Sequence, residues 1–170
     1  MKQINTAHYN NNGIEMIMGS YEGKLCLLDF TNRKNRSTIV KRIEKALNGK
    51  YQDCEDEVLK ETSKQLDEYF NGKREEFDIP LLLIGTKFQK SVWKTLLDIP
   101  YGETRSYKEQ ARMLGDEKKV RAAANANGAN AIAIIIPCHR VIGSNGKLTG
   151  YAGGVDIKEK LLKLENESNI

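Results

Sequence analysis

The sequence predicts an α+β fold of two small domains, residues 1–80 and 81–170, and three observations lead to it. Residues 14–20 and 24–30 are strand-like and flank the turn Tyr21-Glu22-Gly23, which predicts a β-hairpin. Helical periodicity begins only after this hairpin, and strands followed by helices are typical of α+β proteins. Capping-box signatures lie in the second half, which is therefore expected to be mostly helical.

Length and composition indicate a globular protein. The 170 residues are 39% hydrophobic and 29% charged, which is enough apolar material for a buried core. Residues 1–13 are polar and rich in asparagine, so they do not resemble a signal peptide, and no apolar stretch approaches a membrane span. We expect a protein without membrane contact that is cytoplasmic, or nuclear if the host has a nucleus.

The first half contains two predicted helices. Residues 38–47 and 55–70 have helical periodicity, and Asn48-Gly49 and Asn71-Gly72 are suitable ends for them. Residues 73–85 are the expected connection to the second half. No reactive group of side chains is recognisable here, so a supporting role is predicted for this domain.

The cysteines argue against a disulfide framework and against a metal site. Cys26, Cys54 and Cys138 are odd in number, widely spaced and without a C-x-x-C pair, and His8 and His139 are the only histidines. Cys26 is expected to pack in a strand and Cys54 to lie in an exposed acidic loop. No metal and no other cofactor is expected.

Three helices are predicted between residues 86 and 127. Thr86-Lys87-Phe88-Gln89 is a capping box that starts the first helix, in which Trp93 is expected in the core. Ser106-Tyr107-Lys108-Glu109 starts the second, which Gly115 ends. The third follows the N-cap Asp116. Two short helices joined by a glycine-containing turn resemble a helix-turn-helix.

Positive charge is concentrated in the second half. Residues 80–170 carry 14 basic and 9 acidic side chains, a net charge of +5, whereas residues 1–79 carry 13 and 14, a net charge of −1. Such a bias suits a face that meets phosphates, although an ordinary solvated surface would also explain it. The third helix has basic residues at its start and small residues at 122–127, which would approach DNA closely with little sequence specificity. A packed alanine-rich helix remains the alternative.

Cys138-His139 follows the apolar run Ile134-Ile135-Ile136 and is the strongest chemical signal in the chain. A reactive thiol requires a proton acceptor and nearby positive charge, which His139 and Arg140 can provide. The alternative is a buried structural cysteine with a chance neighbour. In the last predicted helix, about residues 156–167, Glu165 shares the inward face with Leu161 and would need a partner there. If that helix end frays, Glu165 faces water instead.

Residues Pro137-Cys138-His139-Arg140-Val141 resemble the active-site signature of the O6-alkylguanine-DNA alkyltransferases, also called methylated-DNA protein-cysteine methyltransferases. The resemblance covers about the C-terminal half, and residues before about position 80 match only loosely. The other matching residues, in the same order as in the family, are Thr86-Lys87-Phe88-Gln89, Val92-Trp93, Ser106-Tyr107, Arg121, Asn130, Gly150-Tyr151, Gly153-Gly154 and Glu165.

The resemblance implies a ribonuclease-H-like N-terminal domain and a winged helix-turn-helix-like C-terminal domain. It implies a DNA repair protein that transfers a methyl or other alkyl group irreversibly from O6-alkylguanine, and also from O4-alkylthymine, to Cys138. The partner would be double-stranded DNA, contacted in the minor groove with low sequence specificity and with the damaged nucleotide flipped out. The protein would act as a monomer.

The resemblance also assigns catalytic roles. His139, oriented by Glu165, would help to deprotonate Cys138 through a water, and Tyr107 would donate a proton to the leaving guanine. Asn130 would tie the helix-turn-helix to the active-site loop. Tyr107 could equally be an aromatic residue that packs on Trp93.

The DNA-binding and base-pocket residues are likewise implied by the resemblance. Arg121 would enter the duplex and take the place of the flipped nucleotide. The remaining DNA contacts would be Tyr107, Ser106, Ala122, Asn127, Lys118 and Lys119, and the base pocket would contain Tyr151, Ala152, Gly153 and Val141. The chain departs from many relatives at Ala131 and Ala133, where they have proline, and at Ala152, where they have serine.

The loop after the cysteine contains a hairpin signal. Residues 140–142 and 147–149 flank Gly143-Ser144-Asn145-Gly146 and predict a hairpin.

A non-catalytic lesion binder would share the helix-turn-helix but lack the nucleophilic cysteine. A transcription regulator with a redox cysteine would show sequence preference, and a thiol hydrolase would need an oxyanion site that the sequence does not reveal.

Overall fold

The structure is a computed structural model that describes residues 2–34 and 36–167. The chain divides into two compact units, Met1–Ile84 and Gly85–Ile170. Strands dominate the first unit and helices the second, as the sequence predicted.

The first unit contains a four-stranded sheet. Its strands are β1 (Lys2–Asn11), β2 (Ile14–Tyr21), β3 (Lys24–Phe30) and β4 (Gly49–Asp53), in the order β3-β2-β1-β4. β1, β2 and β3 are antiparallel neighbours, and β4 pairs in parallel with β1. The predicted hairpin of β2 and β3 is confirmed.

Strand β1 was not predicted from the sequence because of its polar composition. Its buried residues are Ile4, Thr6 and Tyr9, and the residues between them are half-buried or exposed. The turn into β2 is Asn12-Gly13, with positive φ at both residues (49° and 85°). An Asn-Gly pair between two strands is a strong hairpin signal, and it would have revealed this strand.

Two helices pack on the sheet. They are α1 (Arg36–Leu47) and α2 (Glu57–Phe70), close to the predicted ranges. Asp56 caps α2 by accepting a hydrogen bond from the backbone N–H of Leu59 at 2.9 Å. Cys26 is buried in β3 and Cys54 is exposed, as expected for residues without a chemical role.

The second unit is built from four helices and one short strand pair. Both predicted capping boxes form, at Thr86 and at Ser106. Trp93 is buried and donates its indole N–H to the carbonyl of Ala126 at 2.8 Å. The elements are α3 (Lys87–Leu97), β5 (Arg105–Ser106), α4 (Tyr107–Met113), α5 (Val120–Gly128), β6 (Val141–Ile142) and α6 (Val155–Glu167).

Helices α4 and α5 form the helix-turn-helix. Gly115 allows the turn between them with φ of +90°, and Asp116 caps a short 3-10 helix, Glu117–Lys119, that leads into α5. Ala123 and Ala126 pack against Val92, whereas the other side of α5 is exposed. The packed helix and the solvent-facing helix that the sequence left as alternatives are therefore two faces of α5.

The hairpin predicted at residues 140–149 is wrong. β6 pairs in parallel with β5, and no strand forms at residues 147–149. The Asn-Gly signal produces only a local turn, closed by a hydrogen bond of 2.9 Å from Gly143 N–H to Lys147 O. The edge that a hairpin partner would have paired is taken by Arg105–Ser106, from the segment that begins α4.

Within the described ranges, no helix combines the length and the apolar character needed to cross a membrane. The same residues contain no cluster of three His, Cys, Asp or Glu side chains arranged to hold a metal ion.

Candidate active site

The segment before the cysteine is a tightly folded, buried loop. Residues 131–137 are all buried, and Ile134 has a left-handed φ of +70°. A β-branched residue in that region is strained by about 1–3 kcal/mol. Short backbone hydrogen bonds hold the loop, such as Cys138 N–H to Ile136 O at 2.8 Å. This rigid loop presents Cys138 half-buried at the start of a 3-10 turn, Cys138–Arg140.

Asn130 connects both ends of this loop and reaches the sulfur. Its side-chain N–H groups donate to Ile136 O at 2.9 Å and to Cys138 Sγ at 3.4 Å, and its Oδ1 accepts from Ile132 N–H at 3.0 Å. A donor on the sulfur stabilises the thiolate, because the hydrogen bond strengthens when the acceptor is charged. The residue that ends the helix-turn-helix thus contacts the reactive atom itself.

His139 and Glu165 form a buried pair. Nε2 of His139 lies 2.6 Å from Oε2 of Glu165, and the side chains are 0% and 1% exposed. Burial lowers the pKa of His139 from 6.5, against the opposing effect of Glu165. Burial would raise the pKa of Glu165, but its hydrogen bonds and opposite charges at His139 and Arg140 lower it to about 2. Glu165 faces inward, as its position on α6 predicted.

This pairing fixes which histidine nitrogen acts as the base. An ionised carboxylate only accepts hydrogen bonds, so Nε2 of neutral His139 carries the proton that Glu165 accepts. Nδ1 then has a free lone pair, and it has no hydrogen-bond partner among the described residues. The imidazole is thereby prepared to accept a proton at Nδ1.

Arg140 has a role that the sequence did not reveal. Its Nε and Nη2 donate to the two oxygens of Glu165 at 2.8 and 3.2 Å, and its Nη1 donates to Ile99 O at 2.7 Å. The guanidinium also lies over the ring of Tyr101, 5.7 Å from its centre. Arg140 therefore neutralises the buried carboxylate and holds it for His139. The sequence contained one signal for this contact, because a carboxylate predicted on a buried helix face needs a nearby cation.

Tyr107 and Arg121 line an open cavity of about 570 Å³. The cavity is also lined by Lys118 and Thr149. The phenol oxygen of Tyr107 lies 2.8 Å from the hydroxyl of Thr149 and is thus directed toward the loop after the cysteine. Tyr107 is half-buried, and its polar end is at this cavity rather than in the core.

The predicted DNA-binding residues are exposed or half-buried, with one exception. Arg121, Ala122, Lys118 and Lys119 are exposed, and Ser106 is half-buried with its hydroxyl capping α4. Asn127 differs from these residues. Its side chain is buried and exchanges two hydrogen bonds with the amide of Gln110, at 2.8 and 2.7 Å, which locks α4 to α5.

The predicted base-pocket residues differ in exposure. The side chain of Val141 is fully buried and packs in the core. Tyr151 is half-buried with its ring 6.4 Å from that of His139, in an edge-on arrangement. Ala152 is half-buried and Gly153 is buried in the same loop. Tyr151 is therefore the aromatic wall nearest to the catalytic pair among the predicted pocket residues.

Two family models match this chain. Residues 16–83 match the family model described as 6-O-methylguanine DNA methyltransferase, ribonuclease-like domain, and residues 87–167 match the model described as its DNA binding domain. The methylated-DNA–protein-cysteine methyltransferase of Methanosarcina barkeri is 63% identical over 112 residues, which are 66% of this chain and 70% of the relative.

Solved structures from Mycobacterium tuberculosis are similar over nearly the whole chain. The O6-methylguanine methyltransferase has a TM-score of 0.80 at 39% identity, over 99% of this chain and 94% of the other. A structure described as OGT in complex with DNA also has a TM-score of 0.80, at 40% identity, over 98% of this chain and 94% of the other.

Proposed function

The chain belongs to the 6-O-methylguanine DNA methyltransferase family, and we propose that it repairs O6-methylguanine in DNA by transferring the methyl group to Cys138. The observation that carries this assignment is the convergence of three side chains on one buried turn. Asn130 donates to Cys138 Sγ, and the adjacent His139 is held by Glu165.

The first step is formation of the thiolate. Nδ1 of His139 accepts the proton of Cys138 through a bridging water, while Nε2–H remains bonded to Glu165. Arg140 keeps Glu165 ionised, so the imidazolium that forms is stabilised by a full negative charge. The Asn130 amide donates to the sulfur as its charge develops.

The second step is an in-line displacement at the methyl carbon. A sulfur electron pair forms the new S–C bond as the C–O6 bond breaks, and its electrons pass into guanine. The phenol of Tyr107 donates a hydrogen bond or proton to the ring nitrogen and makes guanine a better leaving group. The products are guanine and S-methylcysteine. A thioether is not cleaved by acid–base groups, so each molecule acts once, and no cofactor is needed.

The DNA interface is the exposed side of the helix-turn-helix. A base inside the duplex is inaccessible, so the damaged nucleotide is flipped toward Cys138 and Arg121 fills the gap that it leaves. Lys118, Lys119 and the capped N-terminus at Ser106 meet the phosphates, while Ala122 allows close approach in the minor groove. The similar M. tuberculosis structure is described as a complex with DNA, which supports DNA as the partner.

The finer parts of the proposal follow from the same site. A reaction directed at a methyl group on a base oxygen extends to O4-alkylthymine. The protein acts as a monomer and is cytoplasmic, or nuclear where the host has a nucleus. Residues 1–80 form a supporting domain, and residues 81–170 contain the DNA-binding and catalytic groups.

The proposal is tested by titrating a duplex that contains one O6-methylguanine with increasing protein. Guanine formation should rise in proportion to protein and stop at one equivalent, and Cys138→Ser should form none. Continued turnover would indicate a different reaction. Binding without guanine formation would indicate a non-catalytic lesion binder.

A further inference from the structure

Lys158 is a buried cation that the mechanism above does not use. It lies on α6 and is 1% exposed. Its ammonium donates to two backbone oxygens, Val141 O at 2.7 Å and Thr149 O at 3.2 Å. Burial lowers its pKa, and the charge of Cys138 opposes that change. Desolvating an ammonium is costly, and the two hydrogen bonds to backbone oxygens offset part of that cost.

The two oxygens that Lys158 holds belong to functionally different segments. Val141 directly follows the turn that contains Cys138 and His139. Thr149 lies eight residues later, in a loop with five glycines between residues 143 and 154 that would otherwise have many conformations. Lys158 thus fixes this loop to the catalytic turn.

Thr149 extends the connection to Tyr107. Its hydroxyl lies 2.8 Å from the phenol oxygen, and both residues line the same cavity. If the threonine hydroxyl donates, the phenol proton is left free to bond to a base.

We propose that Thr149 and Lys158 are positioning residues, with Lys158 anchoring the loop to the catalytic turn and Thr149 holding the Tyr107 phenol toward the flipped base. This inference rests on the proposed methyl transfer. Thiol and phenol come from segments 31 positions apart, and the pairing of Arg105–Ser106 with Val141–Ile142 joins the backbones of these segments. The three hydrogen bonds of Lys158 and Thr149 additionally fix the position of the phenol oxygen. The Lys158 charge additionally favours the Cys138 thiolate, because its bond to Val141 O places the ammonium beside the turn that contains Cys138.

The test for Thr149 uses a matched pair of variants. Thr149→Val keeps the shape and removes the hydroxyl, whereas Thr149→Ser keeps the hydroxyl. The limiting rate constant of methyl transfer from a duplex and the half-saturating DNA concentration are measured under single-turnover conditions. Thr149→Val should lower the rate constant about 5- to 10-fold, as expected for the loss of one hydrogen bond in the transition state, without changing half-saturation. Thr149→Ser should restore most of the rate. Equal rates for both variants, or a change in half-saturation alone, would overturn the role of Thr149.

The test for Lys158 adds a readout that requires no DNA. Lys158→Met should slow both methyl transfer and alkylation of Cys138 by iodoacetamide, whereas Thr149→Val should slow only methyl transfer. Lys160→Met, at an exposed position of α6, is the control and should match the wild type in both. An unchanged iodoacetamide rate in folded Lys158→Met would refute the electrostatic role of Lys158. If the wild type takes up no methyl group, the proposed function fails, and the iodoacetamide rates still decide the role of Lys158.

Discussion

Oε2 of Glu165 lies 2.6 Å from Nε2 of His139, and the other oxygen of the carboxylate is held by Arg140 at 2.8 Å. The carboxylate therefore binds two partners, the imidazole of His139 and the guanidinium of Arg140. Arg140 keeps it ionised inside the protein, and the ionised group sets the tautomer of His139. This relationship determines which nitrogen can accept the thiol proton, and it leads to the first prediction.

Glu165→Gln should slow iodoacetamide labelling of Cys138 and methyl transfer by about 100-fold, the usual contribution of a general base. The amide can donate to Nε2 and thereby favour the wrong tautomer. It also leaves the buried Arg140 without a counter-charge, at a cost of about 3–5 kcal/mol in the free energy of unfolding. Labelling kinetics and thermal unfolding measure the two effects. Glu167→Gln, exposed on the same helix, is the control. Labelling of Glu165→Gln at the wild-type rate would contradict the relay.

Asn130→Ala should move the midpoint of the pH dependence of Cys138 labelling to higher pH. The variant removes a donor to Sγ and one of the two donors to Ile136 O, and it takes away the side-chain acceptor of Ile132 N–H, so the free energy of unfolding should also fall by about 1–3 kcal/mol. Asn125→Ala, at an exposed position of α5, should change neither quantity. If Asn130→Ala lowers stability and leaves the labelling midpoint unchanged, the contact with sulfur has no role in thiolate formation.

Stability should decrease as the pH falls below about 6.5. The pKa of His139 is lowered by burial, so the unfolded chain binds the imidazole proton first, and acid favours unfolding below its ordinary value of 6.5. The pKa of Glu165 is lowered from 4.5 to about 2, so its stabilising effect is present above 4.5 and is lost as the pH falls toward 2. Denaturant unfolding at a series of pH values measures both. Stability that rises on acidification through this range would show that the pair is not buried as described.

Arg121→Ala should lower the rate of methyl transfer from duplex DNA more than 10-fold without changing iodoacetamide labelling of Cys138. The side chain is exposed on α5 and fills the gap that the flipped nucleotide leaves in the proposed mechanism. It has no part in activating the thiol. By contrast, Lys118→Ala should weaken binding uniformly and reduce the slope of log affinity against log salt by about 0.9, the value for one phosphate contact. Equal effects of the two variants on transfer and on salt dependence would contradict the separate role of Arg121.

Local signals in the sequence predicted the elements that depend on local physics. The capping boxes at Thr86 and Ser106 formed because their hydrogen bonds lie within four residues. Glu165 faces inward because helical geometry relates it to Leu161. In contrast, the parallel pairing of Val141–Ile142 with Arg105–Ser106 depends on residues 36 positions apart, which no local pattern encodes.

Features that depend on tertiary packing were missed or misjudged. Burial of Asn127 accompanies its pairing with Gln110 on a different helix, a contact that the sequence did not reveal. The left-handed Ile134 opposes its own backbone preference and exists only because the surrounding core holds it. The clamp of Arg140 on Glu165 connects two motif residues whose separate identification did not reveal their contact.

The most direct test of the central claim is the mass of the intact protein after incubation with a duplex that contains O6-methylguanine, followed by peptide mapping. The mass of the protein should increase by one methyl group per molecule, located on Cys138, and the mass of Cys138→Ser should not increase. Methyl transfer to Cys138 would be contradicted if the wild-type protein converts O6-methylguanine to guanine without gaining mass, or if it carries the methyl group on Cys26 or Cys54.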